Sequence, residues 1–151
     1  MAVDVQTRDL RKGSAVAATP FTAVRSLPAD DCWRRLAEHP SRVGRVGTGG
    51  ASPDIFPVNY VLDGHSVVFR TAAGKKLAAV GRGERVVFEV DHIDAGWERG
   101  WSVVLRGFAE HVTDAEEVAR LAQLPLRTWD PTPKPEFVRI TTHLVSGREI
   151  V

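Results

Sequence analysis

The stretch Val67-Val68-Phe69-Arg70-Thr71-Ala72-Ala73-Gly74-Lys75-Lys76-Leu77 holds the densest chemistry in the chain. A β-branched apolar run ends in Arg70-Thr71, crosses two alanines and a glycine, and reaches Lys75-Lys76 where a short helix is expected to start. Three cations, a hydroxyl and a permissive glycine at a strand tip suit a phosphate group. Fixed positive charge neutralises the anion, and the Thr71 hydroxyl and helix-start N–H groups donate to its oxygens. Cations at a helix N-terminus oppose the macrodipole, so Lys75 and Lys76 are poorly placed as mere surface decoration; a bound anion removes the conflict.

Other combinations point to less. Glu89 and Asp91 alternate and so share one strand face, but no histidine stands at a matching spacing, and a solvated polar face is the better reading. His39, His65, His92, His111 and His143 are scattered and form no ligand motif, so no metal is expected. No serine sits in a nucleophile elbow. Gly44–Gly50 lacks the dinucleotide fingerprint and reads as a strand and turn. Cys32 lies one turn before Leu36 and reads as a core thiol. Trp33, Trp97 and Trp129 read as packing residues. No side chain stands out as an obligatory acid or base.

The elements that must position the basic turn are mainly β. Asp30 or Asp31 is expected to cap a helix running to about His39, with Trp33, Leu36 and Ala37 on its buried face and Pro40 ending it. Strands are expected over Val43–Thr48, Ile55–Leu62, Ser66–Arg70, Arg85–Asp91 and Trp101–Val112, with Asp63-Gly64 as a tight hairpin turn. Pro57 lacks an N–H, so its strand should lie at an edge or face something other than a neighbouring strand there. Gly107 reads as a bulge or bend. Helices are expected over Gly74–Val80 and Ala115–Gln123, the second capped by Asp114. Four prolines punctuate residues 125–135, and Phe137–Ile150 closes the chain as a β segment interrupted near His143. Strands follow one another without long crossover helices, which favours antiparallel pairing and a barrel over a doubly wound sheet.

The chain has 151 residues, enough for one domain with a sizeable core. Residues 1–26 read as an N-terminal arm and 27–151 as the folded domain. Twenty basic residues stand against nineteen acidic ones, a balance that argues against a nucleic-acid binder. One cysteine leaves no internal disulfide framework and suits a reducing cytoplasm. No signal-peptide pattern and no apolar run of membrane-spanning length is present in the sequence, so no membrane partner is expected.

Taken in order, Gly44-Arg45-Val46-Gly47, Pro53-Asp54-Ile55-Phe56-Pro57-Val58-Asn59-Tyr60, Val68-Phe69-Arg70-Thr71, Gly74-Lys75-Lys76-Leu77, Phe88-Glu89-Val90-Asp91, Gly100-Trp101-Ser102-Val103-Val104 and Gly107-Phe108-Ala109-Glu110 resemble the pyridoxamine 5'-phosphate oxidase-like flavoproteins over residues 30–150. The resemblance implies a six-stranded antiparallel split β-barrel, FMN-binding type, that forms a homodimer with the flavin between subunits. It implies an FMN-dependent oxidoreductase acting on an unidentified small molecule. Arg70, Thr71, Lys75 and Lys76 would then hold the phosphate, and Phe56, Pro57, Val58 and Asn59 would run along the isoalloxazine ring. Ser102 aligns with a glutamine that reaches the flavin, and Trp101 precedes it as a wall of the site, supplied from the second subunit. Two departures narrow the expectation. Gly74 replaces a serine, and Arg139, His143 and Arg148 do not match the spacing with which the oxidases grip pyridoxal phosphate. A deazaflavin cofactor is the alternative, its acidic tail met by Arg42, Arg45 or Arg82. A flavin-binding carrier or sensor without turnover is another.

Overall fold

The computed structural model describes residues 23–151 apart from Gly81 and Trp97. Most of the expected arm therefore lies outside the described residues, and its last part is strand β1 (Val24–Leu27). Then follow α1 (Ala29–Glu38), β2 (Val43–Thr48), β3 (Ile55–Asp63), β4 (Ser66–Thr71), α2 (Lys75–Val80), β5 (Arg82–Ile93), β6 (Gly100–Val112), α3 (Ala115–Leu121) and β7 (Glu136–Ile150).

All the ladders are antiparallel, in the order β1-β7-β4-β3-β2-β5-β6, and a further β6–β7 ladder closes six of these strands into a barrel. The expected six-stranded antiparallel split barrel is the observed architecture, with β1 added outside the ring. Alternation decides which side chains fill it. Phe56, Val58 and Tyr60 of β3, Val67 and Phe69 of β4, and Phe88 and Val90 of β5 point inward and are buried. Each such side chain stabilises the fold by roughly 1.5–3 kcal/mol. Val61, Val68 and Phe137 point outward and are covered by Leu121 of α3.

Strand β7 makes closure possible. Its residues 136–141 pair with β4, residues 147–150 pair with β1, and β6 runs along its other edge. The β6–β7 register passes from Arg106↔Leu144 to Gly107↔Thr142, so His143 is the unopposed extra residue. The bend expected at Gly107 and the interruption expected at His143 are thus one bulge, and β7 continues through it. A Cβ on Gly107 would meet the Thr141 carbonyl oxygen at 2.2 Å.

Two local expectations are corrected. Helix α1 begins after Pro28, which offers no side-chain cap, and Asp30 and Asp31 occupy its first turn, where carboxylates favour the positive end of the dipole. Ala37 faces solvent, whereas Cys32 and Leu36 are buried. The Tyr60 hydroxyl donates to the Leu36 carbonyl at 2.7 Å and ties α1 to the barrel, and burial pushes that phenol up to about 12. Burial also raises the Cys32 thiol, as befits a core residue. Asp114 caps α3 as expected, accepting from the Glu117 N–H at 3.0 Å.

Candidate functional site

The barrel is split where β3 and β4 part. Their ladder stops at Tyr60↔Phe69. Beyond it β3 stays paired with β2 as far as Gly47↔Ile55, and β4 stays paired with β7 as far as Thr71↔Glu136. Residues 55–59 and 70–71 therefore face each other across a gap. The Tyr60 N–H bonds the Arg42 carbonyl in the β2 direction, and alternate residues along an antiparallel strand turn their backbone groups the other way. Pro57 and Asn59 are those residues. The missing N–H of Pro57 thus falls on the gap, where no strand needs it, as its place in the sequence suggested.

A cavity of about 420 Å³ occupies this gap, lined by Pro57, Val58, Asn59, Arg70, Thr71 and Lys76 together with Val43 and the loop residues Thr128, Trp129, Asp130 and Lys134. Its volume lies in the range of roughly 300–1,000 Å³ usual for small-molecule sites.

Two loop contacts set the polar groups. Asn59 Oδ1 accepts from the Trp129 N–H at 2.8 Å. That bond fixes which way the amide points, because only its oxygen accepts. Asn59 Nδ2 is then a buried donor with no partner among the described residues. A buried unsatisfied donor costs about 1–3 kcal/mol, which a ligand acceptor would recover. Arg70 Nε donates to the Lys134 carbonyl at 2.7 Å, and its guanidinium carbon lies 5.1 Å from the centre of the Phe137 ring. The side chain is thereby aimed before any ligand arrives, with only Nε engaged among the described residues.

Lys76 is exposed and reaches over the buried Phe56 ring, with Nζ 5.2 Å from its centre. Lys134 Nζ lies 2.7 Å from Asp130 Oδ2, and that contact, with Thr132, holds the Asp130 carboxyl well below the usual range. Asp130 stays ionised and largely neutralises Lys134. Arg70 and Lys76 remain as the cations free to meet an anion.

The other expected site residues are placed as follows. Thr71 lines the cavity but is buried, and its hydroxyl donates to the Ala72 carbonyl at 3.2 Å. Phe56 points into the core beneath Lys76. Lys75 is exposed and does not line the cavity. Trp101 packs below α1, with its ring 5.7 Å from His39 and 5.6 Å from the Arg35 guanidinium. Ser102 lies on the outer face of β6, beside Asp91 of β5 and Arg148 of β7. Neither Trp101 nor Ser102 reaches the cavity of its own chain.

Trp129, Asp130 and Lys134 were not anticipated. Trp129 is not a packing residue: it is 70% exposed and lines the cavity. The available signal was the segment 125–135 itself, where prolines stiffen a loop carrying Trp, Asp and Lys.

The arrangement accepts a ligand with an anionic group for Arg70 and Lys76, an acceptor for Asn59 Nδ2 and a flat face along residues 57–59. Comparison with known proteins gives the chain its relatives. The FAD-binding protein from Mycobacterium smegmatis has 35% sequence identity and a TM-score of 0.70, covering 83% of this chain and 97% of that one. A FAD-binding protein from Mesorhizobium loti has 26% identity and a TM-score of 0.72, covering 86% of this chain and all of that one, 100%. The uncharacterized protein Rv0080 of Mycobacterium tuberculosis is 36% identical over 144 residues, 89% of this chain and 91% of its own length. The family model for pyridoxamine 5'-phosphate oxidase matches residues 28–149, and with that coverage the chain belongs to this family.

Proposed function

We propose that the protein is a flavin-dependent oxidoreductase whose cofactor lies in the cavity between β3 and β4. The carrying observation is the pairing, in one cavity, of two uncommitted cations, Arg70 and Lys76, with the orphaned donor of Asn59. A flavin phosphate supplies the anion, and the ring supplies flat surface and acceptor atoms. FMN is the smallest cofactor that meets these demands, and FAD is the same molecule extended by an adenylate. The relatives named as FAD-binding support a flavin.

When bound, the isoalloxazine ring carries the electron chemistry, and the protein contributes binding, orientation and electrostatics. Arg70 and Lys76 hold the phosphate, with Lys75 adding longer-range attraction. Pro57 leaves the strand edge free of a donor where the ring lies, and Asn59 offers one. The backbone groups of Pro57 and Asn59, which face the gap, tune the ring. A small-molecule substrate exchanges an electron pair with it.

The deazaflavin alternative is weakened at Arg45, whose charge is offset by two carboxylates, Glu89 at 3.1 Å and Asp91 at 2.7 Å, both bonded to Nη1. The family resemblance gives Trp101 and Ser102 to the flavin, and since neither lines the cavity of its own chain they would serve it from the second subunit of a homodimer. The outer face of β5, β6 and β7 supports it too: Val87, Phe108 and Leu144 stand exposed there. No described helix is long and apolar enough to cross a membrane, and the lone buried thiol suits a cytoplasmic protein.

The test is titration of purified protein with FMN, FAD and the deazaflavin cofactor, followed by an assay of substrate reduction. Quenched flavin fluorescence and turnover above that of free flavin bear the proposal out. Binding without turnover would make this a carrier or sensor. No binding of either flavin would overturn the reading.

A further inference from the structure

Trp129 is the most exposed large apolar side chain among the described residues, at 70%. Its exposure is not that of a slack loop. The Trp129 N–H is bound by Asn59, Asp130 Oδ1 accepts from the Thr132 N–H at 2.8 Å, Asp130 Oδ2 pairs with Lys134, and the Lys134 carbonyl is bound by Arg70. Pro125, Pro131, Pro133 and Pro135 restrict the same segment further. The chain thus fixes a large flat ring in solvent, at the wall of the cavity that holds Arg70 and Lys76. An indole presented in this way lacks the partner that such rings usually find.

We infer that Trp129 is a stacking platform for a second aromatic ring beyond the phosphate, the adenine of a flavin dinucleotide, and that it selects FAD over FMN. The inference rests on the flavin reading above and names the member of that class. FMN ends at its phosphate and has no ring left for Trp129 once its flavin lies along β3. FAD continues through a second phosphate to adenosine. Asp130 points the same way. The ribose hydroxyls of the adenosine find an acceptor in its carboxylate.

The experiment is fluorescence titration of the full chain and of its Trp129→Ala and Trp129→Phe variants with FMN and with FAD, alongside thermal melts and light scattering. The wild type should bind FAD about tenfold tighter than FMN, as one base–aromatic stack allows. Trp129→Ala should remove that advantage by weakening FAD about tenfold while leaving FMN within about twofold, and Trp129→Phe should keep most of it. Equal affinity of the wild type for FMN and FAD overturns the inference while leaving the flavin reading intact. So does a Trp129→Ala variant that weakens both alike or dissociates into monomers, since the indole would then be cavity wall or subunit contact. A wild type that binds neither flavin removes the underlying reading as well.

Discussion

Arg70 and Lys76 share a cavity but differ in how they are held. Arg70 is oriented by the Lys134 carbonyl and the Phe137 ring, so removing it unties the loop as well as deleting a charge. Lys76 is exposed, and removing it deletes little but the charge. Lys76→Ala is therefore the cleaner probe. A lost charge-assisted hydrogen bond is worth about 1.5–3 kcal/mol, so flavin affinity should fall roughly 10- to 150-fold with the melting temperature unchanged. Titration and a thermal melt of the same sample check both halves. His39 gives a second prediction at this scale. Burial, then the neighbouring His92, holds its imidazole below the ordinary value of 6.5, against weaker opposing help from Asp91. The unfolded chain therefore takes up this proton more readily than the folded one. The contribution of His39 to stability is complete above that value and is lost as pH falls below it. Melting temperature should decline from about pH 7 to about pH 5.5, and His39→Gln should flatten the decline.

At the scale of elements, the β6–β7 bulge sets the barrel's closure. Gly107 allows the Thr141 carbonyl to approach where a Cβ would stand. Gly107→Ala forces that backbone apart and should cost about 1–3 kcal/mol, seen as a lowered melting temperature. This bulge was legible in the sequence because a glycine inside a β-branched run and a polar residue inside another mark irregular pairing. The strands were legible for the same reason, since period-two burial writes itself into residue type. The α1 cap was not legible: two aspartates in sequence look like caps, and only the position of Pro28 decides that they sit within the first turn. Half of the cavity was legible. Pro57, Asn59, Arg70 and Lys76 lie on or beside strands, whose periodicity locates them. Trp129, Asp130 and Lys134 lie in a loop, which has no period, and they come to Asn59 and Arg70 from about 60 to 70 positions away in the chain. Trp101 and Ser102 do not line the cavity of their own chain, and in the proposed dimer they would reach that of the second copy, a relation that one chain's order does not hold.

At the scale of the whole molecule, the proposed dimer has a face to use. Val87, Arg106 and Leu144 stand side by side across β5, β6 and β7, and Leu144 is 51% exposed. Burying a carboxylate there is unfavourable by several kcal/mol, so Leu144→Asp should weaken self-association by about 100-fold or more. Light scattering across a dilution series reads this directly, and flavin binding should fall with it, because Trp101 and Ser102 would leave the partner's cavity.

The cavity between β3 and β4 as the seat of an anionic flavin is the claim on which the rest depends. Native mass spectrometry of the protein purified from its own host tests it most directly, reporting subunit count and bound cofactor in one spectrum. The account predicts a complex of two chains carrying two flavins, which Lys76→Ala depletes. Two chains, or one, whose mass leaves no room for any flavin, before and after incubation with FMN and FAD, would contradict it.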